Sequence, residues 1–153
     1  MSLTLETKLA DLLVFSQLSV NSKKRVFECA AEAFGDVSGL STEAVYRGLL
    51  DREKLGSTAL GDGVAIPHCR IEDCVAPIGC LMSLTDPVDF SASDGLGVDI
   101  ILVLLVPSQA TQDHLNLLAG AVELLSKEPT RGAIREATQP SELSEIAARG
   151  GLV

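Results

Sequence analysis

Aromatic residues are scarce in this chain of 153 residues, which has no tryptophan, one tyrosine and four phenylalanines. Hydrophobic residues nevertheless make up 46% of the sequence. The core must therefore be built from leucine, valine, isoleucine and alanine, and a chain of this length can bury a substantial core. We predict a single domain that covers residues 1–153.

Positive charge is also scarce, because 12 Lys and Arg residues face 21 Asp and Glu residues, for a formal net charge of −9. Such an acidic chain argues against nucleic acid and anionic membranes as partners. Neither Lys nor Arg occurs between Ile71 and Ser126. Apart from the N-terminal helix and the C-terminal tail, the remaining cations are Arg47, Arg52, Lys54 and Arg70. A phosphoryl group bound by the middle of the chain would need its counter-charge from these residues.

Long hydrophobic runs are missing as well. The longest apolar run, Ile100 to Val106, is far too short to span a bilayer, so we expect no membrane insertion. The N-terminus carries Glu6 and Asp11 and lacks the basic and then apolar layout of a signal peptide. We therefore expect a cytoplasmic protein.

The four cysteines contain no C-x-x-C pair and are expected to be free thiols in the cytoplasm. They are Cys29, Cys69, Cys74 and Cys80. A zinc site formed by His68 with the last three of them is an alternative, but their spacing is irregular for structural zinc. We predict that the protein uses no metal and no cofactor.

The most informative segment runs from Arg52 to Arg70 and reads REKLGSTALGDGVAIPHCR. A helix is predicted to end at Lys54 or Leu55, with Gly56 available as a left-handed cap. Further along, Gly61 and Gly63 allow the backbone to pass close to another group. The residues at 64–66 then read as a short buried strand that Pro67 stops, so that His68 lies at its end.

The residues of this segment suit an anion such as a phosphoryl group. Arg52 offers a planar fork of donors, Ser57 and Thr58 offer hydroxyls, and glycine-rich backbone offers N–H groups. Arg70 is a weaker candidate, because it can equally serve docking. Taken alone, a histidine beside a proline such as His68 is more often structural or merely exposed. The segment is not a P-loop, since no G-x-x-x-x-G-K-[ST] is present.

Helices are predicted on both sides of this segment. The first covers Lys23 to Phe34, with Ser22 as its N-cap and Gly35 as its end, and the second begins at Ser41 and ends near Lys54. A third, capped by Ser108 or Thr111, is predicted to reach about Lys127 with His114 in its first turn. Its predicted core positions are Leu115, Leu118, Val122 and Leu125. Two short helices are expected after Pro129 and Pro140.

Two strands are predicted between the segment and the third helix. The first covers Ile78 to Thr85 and is followed by a turn at Asp86 and Pro87. The second covers Val98 to Val106 and is continuously apolar apart from Asp99. A run of this kind is buried on both faces of a sheet, so helices should cover both sides of an α/β domain.

Several motifs resemble the enzyme IIA domains of the mannitol/fructose type, from the bacterial phosphoenolpyruvate phosphotransferase system. Nearly the whole chain takes part, and SKKR at Ser22 to Arg25 and LLVP at Leu104 to Pro107 look most like the nitrogen-regulatory branch. The matching pieces are RExxGST at Arg52 to Thr58, GxGxAIPH at Gly61 to His68, Asp94, Gly95 and Val98 before the apolar run that ends at Pro107, and His114 with Leu115. One departure is Cys69, because the family usually has Gly there. We expect this cysteine to add a side chain beside the reactive ring.

The resemblance implies a three-layer domain with a mixed sheet of about five strands. It also implies that His68 is phosphorylated by an HPr-like carrier protein, while His114 is the second histidine of the site and orients the first. Arg52 would neutralise the equatorial oxygens of the phosphoryl group, and Ser57 and Thr58 would donate hydrogen bonds to it. The family's known targets include potassium-transport regulators.

Four interpretations of the function are compatible with the sequence. The favoured one is a regulatory phosphocarrier, since SKKR and LLVP look like the nitrogen-regulatory branch and no IIB or IIC sequence follows before Val153. The first rival is a sugar-specific IIA that passes phosphate to a IIB domain. The second is a binding module without phosphotransfer activity, and the third is a small metal-binding protein.

Overall fold

The computed structural model describes residues 8–109 and 111–153 of the chain. The strands are β1 (Asp11–Leu18), β2 (Ala59–Gly61), β3 (Val64–Ala65), β4 (His68–Ile71), β5 (Ile78–Val88) and β6 (Val98–Pro107). The helices are α1 (Lys23–Ser38), α2 (Thr42–Lys54), α3 (Gln112–Leu125), α4 (Glu128–Glu136) and α5 (Pro140–Arg149).

The six strands form one mixed sheet in the order β1-β5-β6-β3-β2, with β4 also paired to β6. Strand β5 runs antiparallel to β6, whereas β3 and β4 both run parallel to β6. The predicted mixed α/β sheet is confirmed, with one strand more than the five expected. Neither β2 nor β4 is among the strands located from the sequence, and β4 forms because the chain resumes pairing with β6 directly after Pro67.

The central strand β6 divides the core into two clusters. Its residues 101, 103 and 105 pack on one face of the sheet with the buried side chains of α1 and α2. Its residues 100, 102 and 104 pack on the other face with buried side chains of α3, α4 and α5. This alternation confirms the predicted three layers, with helices on both faces.

The predicted N-caps of the first two helices are confirmed, but the predicted end of α1 is wrong. Ser22 accepts a hydrogen bond from the N–H of residue 25, and Ser41 accepts one from the N–H of residue 44. Gly35 lies inside α1, where a Cβ atom would collide with the hydroxyl of Thr42. The helix ends instead at Ser38, and its C-cap Gly39 has the left-handed φ of 73°.

Two local predictions around turns are also wrong. Helix α2 ends at Lys54 as predicted, but its cap residue Leu55 is right-handed and Gly56 has a φ of 154°, outside the left-handed helical region. Asp86 and Pro87 lie within β5, because pairing with β6 resumes at residue 88 after a shift of register.

Helix α3 begins after Thr111 as predicted, but its buried stripe is partly different. The buried residues are Leu117, Ala121 and Leu125, and Leu125 alone belongs to the predicted core set. Leu115 is 56% exposed and Val122 is 37% exposed. The face of the helix that packs on the sheet contains Ala121, so Leu115 and Val122 lie on faces nearer to the surface. The two short helices predicted near the C-terminus are confirmed as α4 and α5. None of the helices in the described part of the chain is long and apolar enough to cross a membrane.

Candidate functional site

His68 is the first residue of β4 rather than the last residue of a preceding strand, which corrects the prediction. Its Nδ1 lies 2.7 Å from the carbonyl oxygen of Ile66. A carbonyl only accepts hydrogen bonds, so Nδ1 carries a proton, and in the neutral imidazole the lone pair is on Nε2. The backbone on either side is fixed, because the N–H of Ile66 donates to Thr58 and the N–H of Leu104 donates to the carbonyl of Pro67. The segment therefore holds a half-buried imidazole with one defined nucleophilic nitrogen.

A cavity of about 150 Å³ lies beside His68. Four of the predicted site residues line it, namely Arg52, Ser57, Thr58 and His68. The other lining residues are Ala59, Leu60, Ile66, Leu118 and Val122. The end of α2 and the loop that follows it thus form one side of the cavity, and α3 forms the other.

Arg52 folds back from the last turn of α2 onto the loop that follows it. Its Nη1 donates to the carbonyl oxygen of Gly56 at 2.9 Å. The other guanidinium N–H groups make no hydrogen bond within the described residues. The side chain is therefore oriented by one donor and has others available for an anion in the cavity.

The hydroxyls of Ser57 and Thr58 donate within the protein in this structure. Ser57 donates to the carbonyl of Phe90 and accepts from the N–H of Ala59 at 3.1 Å. Thr58, which is buried, donates to Oε1 of Glu53 at 2.7 Å. Both side chains border the cavity, but either hydroxyl would have to rotate before it could donate to a phosphoryl group. Their predicted role in binding phosphate stays a prediction.

The glycines at 61 and 63 provide a close approach to protein side chains. A Cβ atom on Gly63, whose φ is 80°, would lie 2.5 Å from Nη2 of Arg135. That guanidinium donates to the carbonyl of Asp62 at 2.7 Å, and the N–H of Asp62 donates to Asp94 at 2.9 Å. Hydrogen bonds from the backbone N–H groups of residues 62 and 96 also hold the pKa of the Asp94 carboxyl below its ordinary value. These glycines therefore secure the hairpin that leads to His68.

His114 occupies the third position of α3 and takes part in its cap. Its Nδ1 accepts from the N–H of Thr111 at 3.2 Å, which leaves the ring proton on Nε2. Leu118 and Val122 follow at intervals of four residues, so all three lie on one face of the helix. Among the described residues, neither His114 nor Arg70 lines the cavity itself. His114 lies one turn beyond its α3 side.

Alternation along β4 separates the next two residues. Exposed Arg70 lies on the same side of the strand as His68, two residues further on. Cys69 lies on the opposite side, where its Sγ would be 3.2 Å from a Cβ atom on Gly48 of α2. Burial raises the pKa of this thiol to about 12, and the neighbouring Cys74 contributes. The expectation that Cys69 adds a side chain beside the reactive ring is therefore wrong.

The same alternation bears on the zinc alternative. His68 and Cys69 point to opposite faces of the sheet and cannot bind one metal ion together. Within residues 8–109 and 111–153, no three His, Cys, Asp or Glu side chains are grouped in a way that could hold a metal. The four cysteines are free thiols.

Sequence reasoning missed Glu53 as a residue of the site. Its carboxylate accepts from both the hydroxyl and the N–H of Thr58, at 2.7 and 3.2 Å. Lys23 of α1 lies 3.3 Å from the same carboxylate. The RExxGST string contains two of these three residues, but only the fold brings the third to them.

Comparison with known proteins gives a consistent family. The family model described as "Phosphoenolpyruvate-dependent sugar phosphotransferase system, EIIA 2" matches residues 8–149. A nitrogen regulatory protein of Pseudomonas aeruginosa is 42% identical over 126 residues, covering 82% of both chains. One from Klebsiella oxytoca is 37% identical over 137 residues, covering 89% of this chain and 85% of its own.

Solved structures agree with this result. Nitrogen regulatory protein IIA-Ntr from Neisseria meningitidis has a TM-score of 0.79 and 38% identity, covering 89% of this chain and 91% of that one. IIA mannitol from Escherichia coli has a TM-score of 0.73 over 87% of this chain and 94% of that one, and at 20% identity it supports the fold alone. The chain belongs to the EIIA 2 family of the phosphoenolpyruvate-dependent sugar phosphotransferase system.

Proposed function

We propose that this protein is a phosphohistidine carrier of the nitrogen-related phosphotransferase system. It accepts a phosphoryl group on His68 from an HPr-like protein and regulates partner proteins by its phosphorylation state. The observation that carries the proposal is the hydrogen bond from Nδ1 of His68 to the carbonyl of Ile66. It presents Nε2 as an unprotonated nucleophile beside a cavity lined by Arg52.

The transfer step balances without a further reactant. Nε2 of His68 attacks the phosphorus atom of the donor's phosphohistidine, and a new N–P bond forms as the donor's N–P bond breaks. The electron pair of the broken bond returns to the donor imidazole. The proton on Nδ1 of His68 stays in place and keeps its hydrogen bond to the carbonyl oxygen of Ile66. No metal or cofactor is required, because the donor is already an activated phosphoramidate.

Arg52 supplies the main counter-charge in this proposal. Its tether to Gly56 orients the guanidinium, and its other N–H groups can bond the equatorial oxygens as charge develops on them. Ser57 and Thr58 border the same cavity and add donors if their hydroxyls rotate towards it. Arg70 lies farther from the ring on the same side of β4, and we assign it to the approaching partner or the phosphate.

His114 supplies a further hydrogen-bond donor in this proposal. Its Nδ1 is engaged by the N–H of Thr111, so its Nε2–H is the donor that can orient His68 or contact the phosphate. The nearby α3 residue Leu118 lines the cavity on the same helix face. This placement supports the predicted role of His114, since it lies one turn away along that face.

Regulation follows from the charge that the modification adds. A phosphate carries about −1.5 to −2 charges at neutral pH. Arg52 lines the cavity at His68, Arg70 lies two residues further along β4, and the sequence has no Lys or Arg between Ile71 and Ser126. A partner that binds at His68 would therefore distinguish the two states. The targets that the family resemblance suggests include potassium-transport regulators. The four free cysteines support a cytoplasmic location.

The test is a phosphotransfer assay with phosphoenolpyruvate, enzyme I and an HPr-type carrier, followed by peptide mapping. We expect stoichiometric labelling of His68, which is stable in base and labile in acid as a phosphoramidate should be. Absence of labelling with active donors would contradict the proposal and favour a binding module without phosphotransfer.

A second candidate is a sugar-specific IIA that passes its phosphate to a IIB domain. It is favoured by the EIIABC component specific for 2-O-alpha-mannosyl-D-glycerate of Escherichia coli, which is 34% identical over 122 residues, or 18% of that protein. Phosphorylated protein should be offered to purified sugar-type IIB domains. Rapid transfer, with sugar phosphorylation restored in extracts that lack their own IIA, would establish this candidate. Partner binding that differs between the two states would support the regulator.

A further inference from the structure

The loop at residues 55–58, which we call the site loop, is attached to the rest of the protein at three successive residues. The carbonyl of Gly56 accepts from Arg52 at 2.9 Å. Ser57 donates to the carbonyl of Phe90. Thr58 gives both its hydroxyl and its N–H to Glu53, at 2.7 and 3.2 Å. Each of the three attachments therefore depends on a residue outside the loop.

Lys23 contacts two of these attachment points. Its Nζ lies 3.3 Å from Oε2 of Glu53 and 5.3 Å from the centre of the Phe90 ring. The Phe90 ring in turn packs edge-on against Phe27 of α1, with centroids 6.0 Å apart. Helix α1 thereby supports the site loop from behind through one ammonium group.

The carboxylate of Glu53 is in an unusual position for a charged group. Its side chain is 6% exposed, whereas the Lys23 side chain is 29% exposed. A charge so removed from water is retained only where it is paired and hydrogen-bonded, and here it receives three donors. Such charge-assisted contacts are the stronger hydrogen bonds, so they restrain Thr58 more than a surface ion pair would.

Adjacent residues of α2 divide the work at its last turn. Arg52 lines the cavity, and Glu53 faces the site loop and Lys23. Holding Thr58 fixes the loop whose carbonyl at Gly56 orients the Arg52 guanidinium. We propose that Lys23 and Glu53 form a positioning pair, which sets the site loop and Arg52 for phosphoryl transfer to His68. This inference rests on the proposed carrier function and adds the residues that hold its phosphate-binding side.

We expect variants of the pair to slow phosphoryl transfer within the complex of donor and acceptor. Displacing a reacting group's surroundings by about 1 Å can cost on the order of 100-fold in rate. Glu53→Gln keeps the shape of the side chain but replaces a carboxylate oxygen by an NH2 group, which would face the donors of Lys23 or Thr58. Lys23→Met keeps the hydrocarbon part of the side chain over Phe90 but removes the positive charge. We expect each to lower the maximal single-turnover rate of transfer from a phosphorylated HPr-type carrier by about 10- to 100-fold. The donor concentration at half-maximal rate should change little.

Matched variants separate this role from general charge and from folding. Lys24→Met removes the neighbouring, exposed charge of the same helix turn and should keep the wild-type maximal rate. Lys23→Arg should recover most of the rate that Lys23→Met loses. Likewise, Thr58→Ser should transfer faster than Thr58→Val, because it keeps the hydroxyl. All rates are measured well below the unfolding temperature of each variant.

A spectroscopic measurement tests the contact without any phosphoryl transfer. The amide proton of Thr58 should resonate downfield in proton–nitrogen correlation NMR, because it donates to a carboxylate. Lys23→Met and Glu53→Gln should both move this resonance upfield, while Lys24→Met should not.

The outcomes are distinguishable. If Lys23→Met and Glu53→Gln move the Thr58 resonance but transfer at the wild-type maximal rate, the positioning role is wrong and the pair is only structural. If the resonance does not move, the contact itself is absent in solution and the inference fails. If wild-type protein cannot be phosphorylated with active donors, the carrier function fails and the positioning role falls with it.

Discussion

The two sides of the cavity at His68 are built in opposite ways. On one side, which we call the polar wall, Arg52, Ser57 and Thr58 are each fixed by hydrogen bonds to named partners. On the other side, the α3 wall, Leu118 and Val122 present only hydrocarbon to the cavity. The polar wall therefore has one geometry, whereas the α3 wall offers a surface without directional contacts.

This difference suggests a division between chemistry and recognition. Hydrogen bonds weaken steeply when their angle changes, so the oriented donors of Arg52 on the polar wall suit a group whose oxygens must be met in a fixed arrangement. Hydrophobic contact is non-directional, so the α3 wall can contact protein partners whose surfaces differ in their details. Changes to the polar wall should alter the rate within a bound complex, and changes to the α3 wall should alter how readily the complex forms.

The largest effect should come from the residue between the two walls. His68→Ala removes the only nucleophile of the proposed step, so we expect no acid-labile, base-stable phosphate after incubation with the phosphorylated carrier. The measurement is quantitative labelling followed by phosphopeptide mapping. Label that persists in His68→Ala, or that maps to His114 or Ser57 in the wild type, would contradict the assignment.

The polar wall is tested by Arg52→Lys. This variant keeps the positive charge but loses the planar guanidinium, which can donate to Gly56 and to an anion at the same time. Loss of one transition-state donor often costs on the order of 100-fold in rate, and we expect a slowing of about that size at saturating donor. Arg47→Lys is the matched control, since Arg47 is an exposed residue of α2 paired with Glu43. Equal rates for the two variants would make Arg52 an ordinary helix-end cation.

A smaller loss is expected at His114, which caps α3 at the edge of the site. His114→Ala removes both the cap and the Nε2–H donor, and we expect transfer to slow by about 10-fold while His68 remains the labelled residue. His114→Gln can still cap the helix from this position, so it reports the loss of the ring alone. A full rate in His114→Gln with a slow His114→Ala would assign the residue to helix capping.

The α3 wall should respond in the other kinetic parameter. Leu118→Ala removes hydrocarbon from the contact surface, and we expect the half-saturating donor concentration to rise by about 3- to 10-fold at an unchanged maximal rate. Val75→Ala is a suitable control, because Val75 is 95% exposed and does not line the cavity. A lower maximal rate in Leu118→Ala would mean that the two walls do not divide the work as we propose.

The smallest effect on transfer is expected at Cys69, behind the site. Cys69→Gly should leave the rate close to that of the wild type but lower the free energy of unfolding by about 1–3 kcal/mol, because it removes a packed side chain and adds backbone freedom. Cys69→Ala separates the two contributions in denaturant titrations. Transfer markedly faster in Cys69→Gly would show that the thiol does impede the reactive ring.

Much of the fold was predictable because it depends on local chemistry. Ser22 and Ser41 cap helices by bonds to residues three positions away, and the apolar run of β6 alone indicates burial on both faces. Strand β4 is not evident from the sequence, because a proline normally interrupts a strand, whereas pairing with β6 resumes one residue after Pro67. The buried face of α3 is not evident from the sequence either, because the larger apolar residues predict a different face, whereas the helix buries Ala121 against the sheet.

The candidate site divides in the same way. The residue types of RExxGST and AIPH indicate chemistry for an anion, and the structure places Arg52 and His68 around one cavity. The acceptor of the Ser57 hydroxyl and the cation paired with Glu53 could not be predicted, because Phe90 and Lys23 reach this part of the chain only in the folded structure. The side to which Cys69 points depends on β4 being a strand, so that error followed from the missed strand.

The hydrogen bond between His68 and the carbonyl of Ile66 also bears on the order of events. Turning the ring over would break that bond, so a phosphoryl group bound to Nε2 faces the same direction when it leaves as when it arrived. Donor and acceptor proteins would then need the same line of approach to one atom, and both cannot occupy it together. On the proposed function, the carrier works by strict exchange, in which the first protein departs before the second arrives, and no ternary complex forms.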